Sequence, residues 1–443
     1  MKIQLSDHFN YLRLLRFVLP SIVMMLFTSV YGVVDGLFVS NFVGKTAFAA
    51  VNLIMPLLMG FGAFGFLIGT GGTALIARTL GEGDRERANH FFSMLVAVTF
   101  LCGLVFSAAG LLFLRPAASA LGAEGELLNL CVRYGRIVML SQTGFMLQCV
   151  FQSFFIAAEK PKLGLVMTVA AGVTNIVLDA LLVGVFCFGV EGAAFATLCS
   201  EMVGGFLPVL YFIRPNSSLL RLVRPRFDGR ALLGVCINGS SELMTNLSMS
   251  IVNTLYNVQL MRLAGEDGVA AYGVLMYMNF FFAAVSIGYS IGCAPLVGYH
   301  YGAANHNELK NLFRKSLILV GAFSAALTIA AQWAAGPLAR IFVGYDEFLC
   351  EMTRHGFALY ALSFIAAGFN IFASSFFTAL SNGLVSAAIS FLRTLVFQVA
   401  AVLLLPLILG LDGVWLAIVA AELLAFLVTC FFFLRERGRY HYA

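Results

Sequence analysis

Apolar residues run along this chain in stretches of about 20 or more, separated by short polar segments. A helix needs about 20 residues to cross about 30 Å of hydrocarbon. The pattern predicts twelve such spans, at about 14–40, 51–77, 91–114, 132–158, 163–188, 192–213, 231–263, 268–299, 312–335, 353–379, 384–409 and 413–434. The first run continues through Asp35 with no small-residue cleavage site after a short apolar core, so it reads as a retained span.

The pattern is written twice. At an offset of 221 residues Gly81 meets Gly302, Pro116 meets Pro337, Gly135 meets Gly356 and Glu201 meets Glu422. A period this long is a duplicated domain rather than a solenoid. Each copy holds an even number of spans, so both enter from the same side. The expected fold is an all-α integral membrane protein, with twelve transmembrane helices in two parallel six-helix repeats related by a pseudo-twofold along the membrane normal. Its parts are a first lobe at 1–213, a basic linker at 214–230 and a second lobe at 231–443.

Composition removes the soluble alternative. Hydrophobic residues make up 60% of the chain and charged residues 11%, and mean hydropathy is +0.93. No soluble domain of this length keeps such a surface in water. The charge distribution orients the bundle: Lys and Arg of the short loops divide 19 to 7 in favour of the side holding both termini. Lys2, Arg78, Arg85 and Arg314 belong to that side, and Lys45, Arg115, Arg133 and Arg340 to the other. The positive-inside rule then makes both termini cytoplasmic. The basic linker suits anionic lipid better than nucleic acid, and a monomer in the lipid bilayer is expected.

Candidate chemistry lies where polar groups enter the apolar spans. An acid at mid-membrane costs about 2.5–3.5 kcal/mol or more, so each needs a partner or a task. At about 1.5 Å per residue, Asp35 lies about 27 Å and Asp179 about 24 Å along helices that start on the inner side, and Thr197 about 7 Å from the outer end of its own. All three share the outer half of the first lobe. Asn175 precedes Asp179 by four residues and shares its helix face. Thr197 stands in the same relation to Glu201, and Tyr31 lies one turn before Asp35. Two carboxylates, an amide and a hydroxyl form an oxygen-rich candidate site for Na⁺, if that is the ion, or for a proton.

The second copy is an internal control. Tyr256, Val396, Ala400 and Ile418 stand where Asp35, Asn175, Asp179 and Thr197 stand in the first. The oxygen cluster is therefore a specialisation of one lobe. Glu422 repeats Glu201, which favours a structural role for Glu422. Glu242, Thr245, Asn246, Asn253 and Asn257 form a polar stripe on the seventh span, a candidate lining for a central cavity. Arg393 is the one buried cation, and the sequence does not identify its partner. The nine cysteines show no paired metal-ligand spacing and read as small buried hydrophobes. The six histidines form no metal constellation, and no nucleophile arrangement stands out, so neither an enzyme nor an organic cofactor is expected.

The segments LPSIVMMLFTSVYGVVDGLFVSNFVGKTAFAAVNLIMP, GTGGTALIARTLGEGDRERA and TNIVLDALLV, with NGSSELMTN and LVGYHYGAAN of the second copy, resemble the multidrug and toxic compound extrusion (MATE) family, in its DinF-like and MepA-like branch. The resemblance spans essentially the whole chain. It implies an antiporter of the bacterial inner membrane, in which two lobes alternate access and inward Na⁺ or H⁺ drives export of organic cations or drugs. It also implies that Asp35, Asn175, Asp179 and Thr197 are the first-lobe cation site. Another branch couples through acids of spans seven and ten; Glu242 matches the first, but span ten holds Ser363, Asn370 and Ser374 and no buried acid. A lipid-linked oligosaccharide flippase of the same wider superfamily is the alternative. A major-facilitator transporter fits less well, because LGEGDRERA lacks the second glycine of that family's loop motif.

Overall fold

The computed structural model describes residues 3–443, apart from the side chains at 33, 37, 40, 41 and 45. Lys2 and the side chain of Lys45, both counted in the charge asymmetry, therefore lie outside the described residues. The first copy forms α1 (Tyr11–Phe38), α2 (Lys45–Gly81), α3 (Arg85–Ala120), α4 (Gly125–Ala157), α5 (Pro161–Val185) and α6 (Gly189–Ile213). The second begins with a continuous helical stretch, Gly229–Gly302, whose 74 residues are broken by the left-handed backbone of Gly265. At about 1.5 Å per residue it is long enough to cross the membrane twice, giving α7 (229–264) and α8 (266–302). Then follow α9 (His306–Val343), α10 (Glu347–Ala361 and Phe364–Ala379, bent by 50°), α11 (Gly383–Leu409) and α12 (Leu411–Tyr440). The twelve expected spans are thus present, with ends several residues longer than the apolar runs. Polar flanks such as Arg85–Asn89 continue the helices beyond the hydrocarbon.

The repeat shows in the contacts between lobes. A Cβ on Gly81 would sit 2.0 Å from the Tyr299 carbonyl oxygen, and one on Gly302 would sit 2.0 Å from that of Arg78. Under the offset of 221, Gly81 maps to Gly302 and Arg78 to Tyr299. This is one contact made twice across a pseudo-twofold, where the backbones of α2 and α8 cross with no room for a side chain. Further into the bundle, Gly71 abuts Val235 and Gly239 of α7, and Gly292 abuts Val18 of α1, again a symmetry-related pair. Small residues permit such close approach where lipid offers no hydrophobic drive to association. Other glycines of α2 face inward: Gly65 and Gly69 meet the α4 backbone at Met146, Cys149 and Val150.

The crossing lies at the end of the bundle that carries both termini. There the segment before α1 ties the lobes together. Leu5 donates its N–H to Glu159 Oε1 of the first lobe at 2.7 Å, and Phe9 donates to Glu308 Oε1 of the second at 2.9 Å. The basic linker docks on the first lobe. Arg85 donates to the carbonyls of Ser218 and Leu219, Asn89 Oδ1 accepts from Arg221 N–H, and Leu220 is buried.

Gly302→Val puts a branched side chain into the Arg78 carbonyl, so the crossing must open. The expected outcome is a longer distance between spin labels placed on the first and second lobes at this end, measured by pulsed electron resonance, with the protein still inserted. An unchanged distance distribution would contradict the close-crossing account.

Candidate functional site

The first lobe is built around α4, the least apolar of its helices with a mean hydropathy of 1.2. Ser141, Gln142, Thr143, Gln148, Gln152 and Ser153 on it are all buried. Polar atoms far from water need internal partners: Ser141 faces Glu201 of α6, and Gln148 faces Tyr31 of α1. Sequence reasoning missed them. The signal was available as an unusually polar run, LSQTGFMLQCVFQS, inside a predicted span.

On α5 the regular helix gives way to a π-helical segment, Asp179–Val185, that starts at the acid itself. Such a segment re-aims side chains and recurs at functional positions. Asp35 of α1 lies in side-chain contact with Asp179 and Asn175. Asp179 is 0% exposed. Both its carboxylate oxygens, Oδ1 of Asp35 and Oδ1 of Asn175 are buried without a hydrogen-bond donor. Four orphaned oxygens in one place cost free energy unless something positive satisfies them, and an oxygen-only set suits a hard cation or a proton. The Thr197 side chain lies within reach of the buried Tyr134 of α4. Tyr134 is thus a further member of the site, invisible to the sequence because it is an ordinary tyrosine in an apolar run.

Tyr31 reaches Gln148 and lies close to both Asp35 and Glu201. Its ring packs on α5 where Gly172 leaves room, a Cβ there being 2.9 Å from Tyr31 Cδ1. Glu201 accepts a short hydrogen bond from Ser141 Oγ. The structure therefore brings Tyr31, Asp35, Asn175, Asp179, Thr197 and Glu201 into one region of one lobe.

The second lobe has a different chemistry at the matching positions. Tyr256, in the place of Asp35, stacks on Tyr272 at 4.8 Å and 7°, and Tyr272 Oη donates to Asn253 Oδ1 at 2.8 Å. Arg393, unpartnered in the sequence reading, donates from Nε to both Glu422 oxygens at 2.8 and 2.9 Å. Asn370 Nδ2 donates to Glu422 Oε2 at 2.8 Å and to the Glu422 carbonyl at 2.9 Å, and Thr429 Oγ1 donates to Asn370 Oδ1 at 2.9 Å. This is a closed ion-pair network. Glu242 lies within electrostatic reach of Arg393. The rest of the stripe on α7 does not converge with it. Asn246 donates back to the Glu242 carbonyl, Asn253 is engaged by Tyr272, and Asn257 is exposed beside Thr254 and Arg262. Among the described residues, no group of three or more His, Cys, Asp or Glu side chains has metal-site geometry.

Comparison with known proteins places this arrangement in a family. The MatE family model matches twice, over residues 20–181 and 243–403. The two matches start 223 residues apart, close to the internal offset. Multidrug export protein MepA of Staphylococcus haemolyticus is 25% identical over 362 residues, covering 80% of each chain. MepA of Staphylococcus aureus strain MRSA252 is 23% identical over 429 residues, covering 96% of this chain and 94% of that one. Among solved structures, an outward-facing MATE multidrug resistance transporter of the MOP superfamily aligns with a TM-score of 0.91 at 24% identity, covering 99% of this chain and 97% of that one. A MATE transporter in complex with MaL6 gives a TM-score of 0.91 at 23% identity, covering 98% and 97%. With both copies matched by the family model, the chain belongs to the MatE (multidrug and toxic compound extrusion) family.

Proposed function

We propose that this protein is a secondary active antiporter of the bacterial inner membrane, with both termini cytoplasmic. It exports organic cations or drugs against inward Na⁺ or H⁺ by alternating access of its lobes. The observation that carries this is the set of buried, donor-less oxygens of Asp35, Asn175 and Asp179 in the first lobe alone. The likeness to staphylococcal proteins named for multidrug export supports the substrate class. Coupling follows if the cation binds the two lobe arrangements with different affinity. Asp35 sits on α1, whose other face packs on α8 of the second lobe through Gly288 and Gly292. Filling the oxygen site changes the charge on one side of α1, while the inter-lobe seam runs along the other. The same helix thus joins ion binding to lobe position.

The test is efflux of a fluorescent organic cation from proteoliposomes under a Na⁺ or pH gradient imposed separately. The proposal expects one gradient to drive efflux and Asp35→Asn to stop it. Tyr134→Phe provides a milder check. Losing one neutral hydrogen bond is worth about 0.5–1.5 kcal/mol, so the cation concentration for half-maximal efflux is expected to rise by about 2–10-fold. An unchanged half-saturation would remove Tyr134 and Thr197 from the site.

A further inference from the structure

Glu201 and Glu422 occupy the same position in the two copies, but only Glu422 is neutralised. Its partners Arg393 and Asn370 map onto Gly172 and Cys149 in the first lobe. The space is not merely vacated there. A Cβ on Gly172 would already lie 2.4 Å from Phe27 Cε1 and 2.9 Å from Tyr31 Cδ1, so aromatic rings fill the volume that a guanidinium takes in the second lobe. Among the described residues no Lys, Arg or His forms an ion pair with Glu201, and its hydrogen-bond donor is the Ser141 hydroxyl. The titratable groups facing it are Tyr31 and Asp35 from α1 and Tyr134 and Cys149 from α4. Beside it on α6, Ser200 donates to the Ala171 carbonyl of α5 at 2.8 Å. Next to Tyr31, Gln148 is 5% exposed and its Oε1 has no donor.

Resting on the coupling role of Asp35 and Asp179 proposed above, we infer that Glu201 is a separate proton-binding position of the first lobe. The lobe thereby takes up a second positive charge in each cycle. Three carboxylates with no internal cation cannot all stay charged in a low-dielectric interior. The two sites differ in donor chemistry. The Asp35, Asn175 and Asp179 oxygens can surround an ion. Glu201 has a hydroxyl, a thiol and a phenol around it, too few acceptor oxygens to replace the hydration shell of Na⁺ but suited to an O–H. When Glu201 is protonated, it carries no charge into this buried, cation-free corner. The step is proton binding only: Glu201 carboxylate plus H⁺ gives the carboxylic acid, and release reverses it.

The test counts protons released when tetraphenylphosphonium binds to purified full-length protein. Calorimetry in buffers of different ionisation enthalpy gives the count. Glu201→Gln keeps the side-chain size and the Ser141 contact and is expected to release about one proton fewer per molecule than wild type, while Glu201→Asp restores the count. Asp35→Asn is expected to keep the Glu201 proton. An unchanged count in Glu201→Gln overturns this inference and leaves the coupling proposal standing. Failure of the coupling proposal shows separately, as gradient-driven efflux that survives in Asp35→Asn.

Discussion

Asp35→Asn is expected to bring gradient-driven efflux down to the protein-free rate, because a cation with no differential affinity for the two lobe arrangements cannot drive the cycle. The protein should insert and fold normally. Asparagine has nearly the size of aspartate, and among the described residues Asp35 makes no ion pair whose loss would destabilise α1. Its charge is what the substitution removes. With one carboxylate left, the site still holds Asp179 and Asn175 oxygens but loses half of its negative charge. A cation then no longer gains enough in one lobe arrangement over the other to drive the cycle. Asp179→Asn should behave alike, because both of its oxygens are buried without donors. The readout is efflux in parallel with membrane yield and thermal stability in detergent. Loss of efflux with normal stability supports an ion-coupling role, and loss of both would mark the pair as a folding element.

Arg393→Met is expected to do the reverse and strike stability. Glu422 is 2% exposed and is held by Arg393 and Asn370. Removing one partner of a buried ion pair costs about 3–5 kcal/mol, because a charge is left buried without compensation. The lower end applies here, since the Arg393 side chain keeps 17% exposure. The double variant Arg393→Met with Glu422→Gln removes both charges and should recover most of the loss. A thermal melt in detergent distinguishes the cases: a clear drop for the single variant and a partial return for the double. Equal melting of the single variant and wild type would show that water already screens the pair.

These two predictions divide between the lobes, and that division was partly legible in the sequence. Asp35, Asn175 and Asp179 could be put at similar depth by counting residues, because helical rise is fixed. The second copy supplied the contrast at Tyr256, Val396 and Ala400. Arg393 and Glu422 could not be paired that way. They lie on different helices, and only packing sets which faces meet. Tyr134, Ser141 and Gln148 were overlooked for a related reason. Their residue types are common in membrane helices, and their importance comes from standing on α4 beside Glu201, Tyr31 and Thr197. The stripe from Glu242 to Asn257 shows the limit of spacing arguments. Helical periodicity put these residues on one face, yet Asn253 is engaged by Tyr272 and Asn257 lies exposed near the break at Gly265. The linker at 214–230 read as a basic segment suited to anionic lipid, and its docking on α3 depends on backbone groups that no side-chain pattern reports.

The central claim is that cation binding in the first lobe drives export. It is tested most directly by loading proteoliposomes with a fluorescent organic cation and imposing a Na⁺ gradient or a pH gradient alone, for wild type and for Asp35→Asn. The account predicts efflux under one of the two gradients in wild type and none above the protein-free rate in the variant. Efflux that ignores both gradients, or that persists in Asp35→Asn, would contradict it.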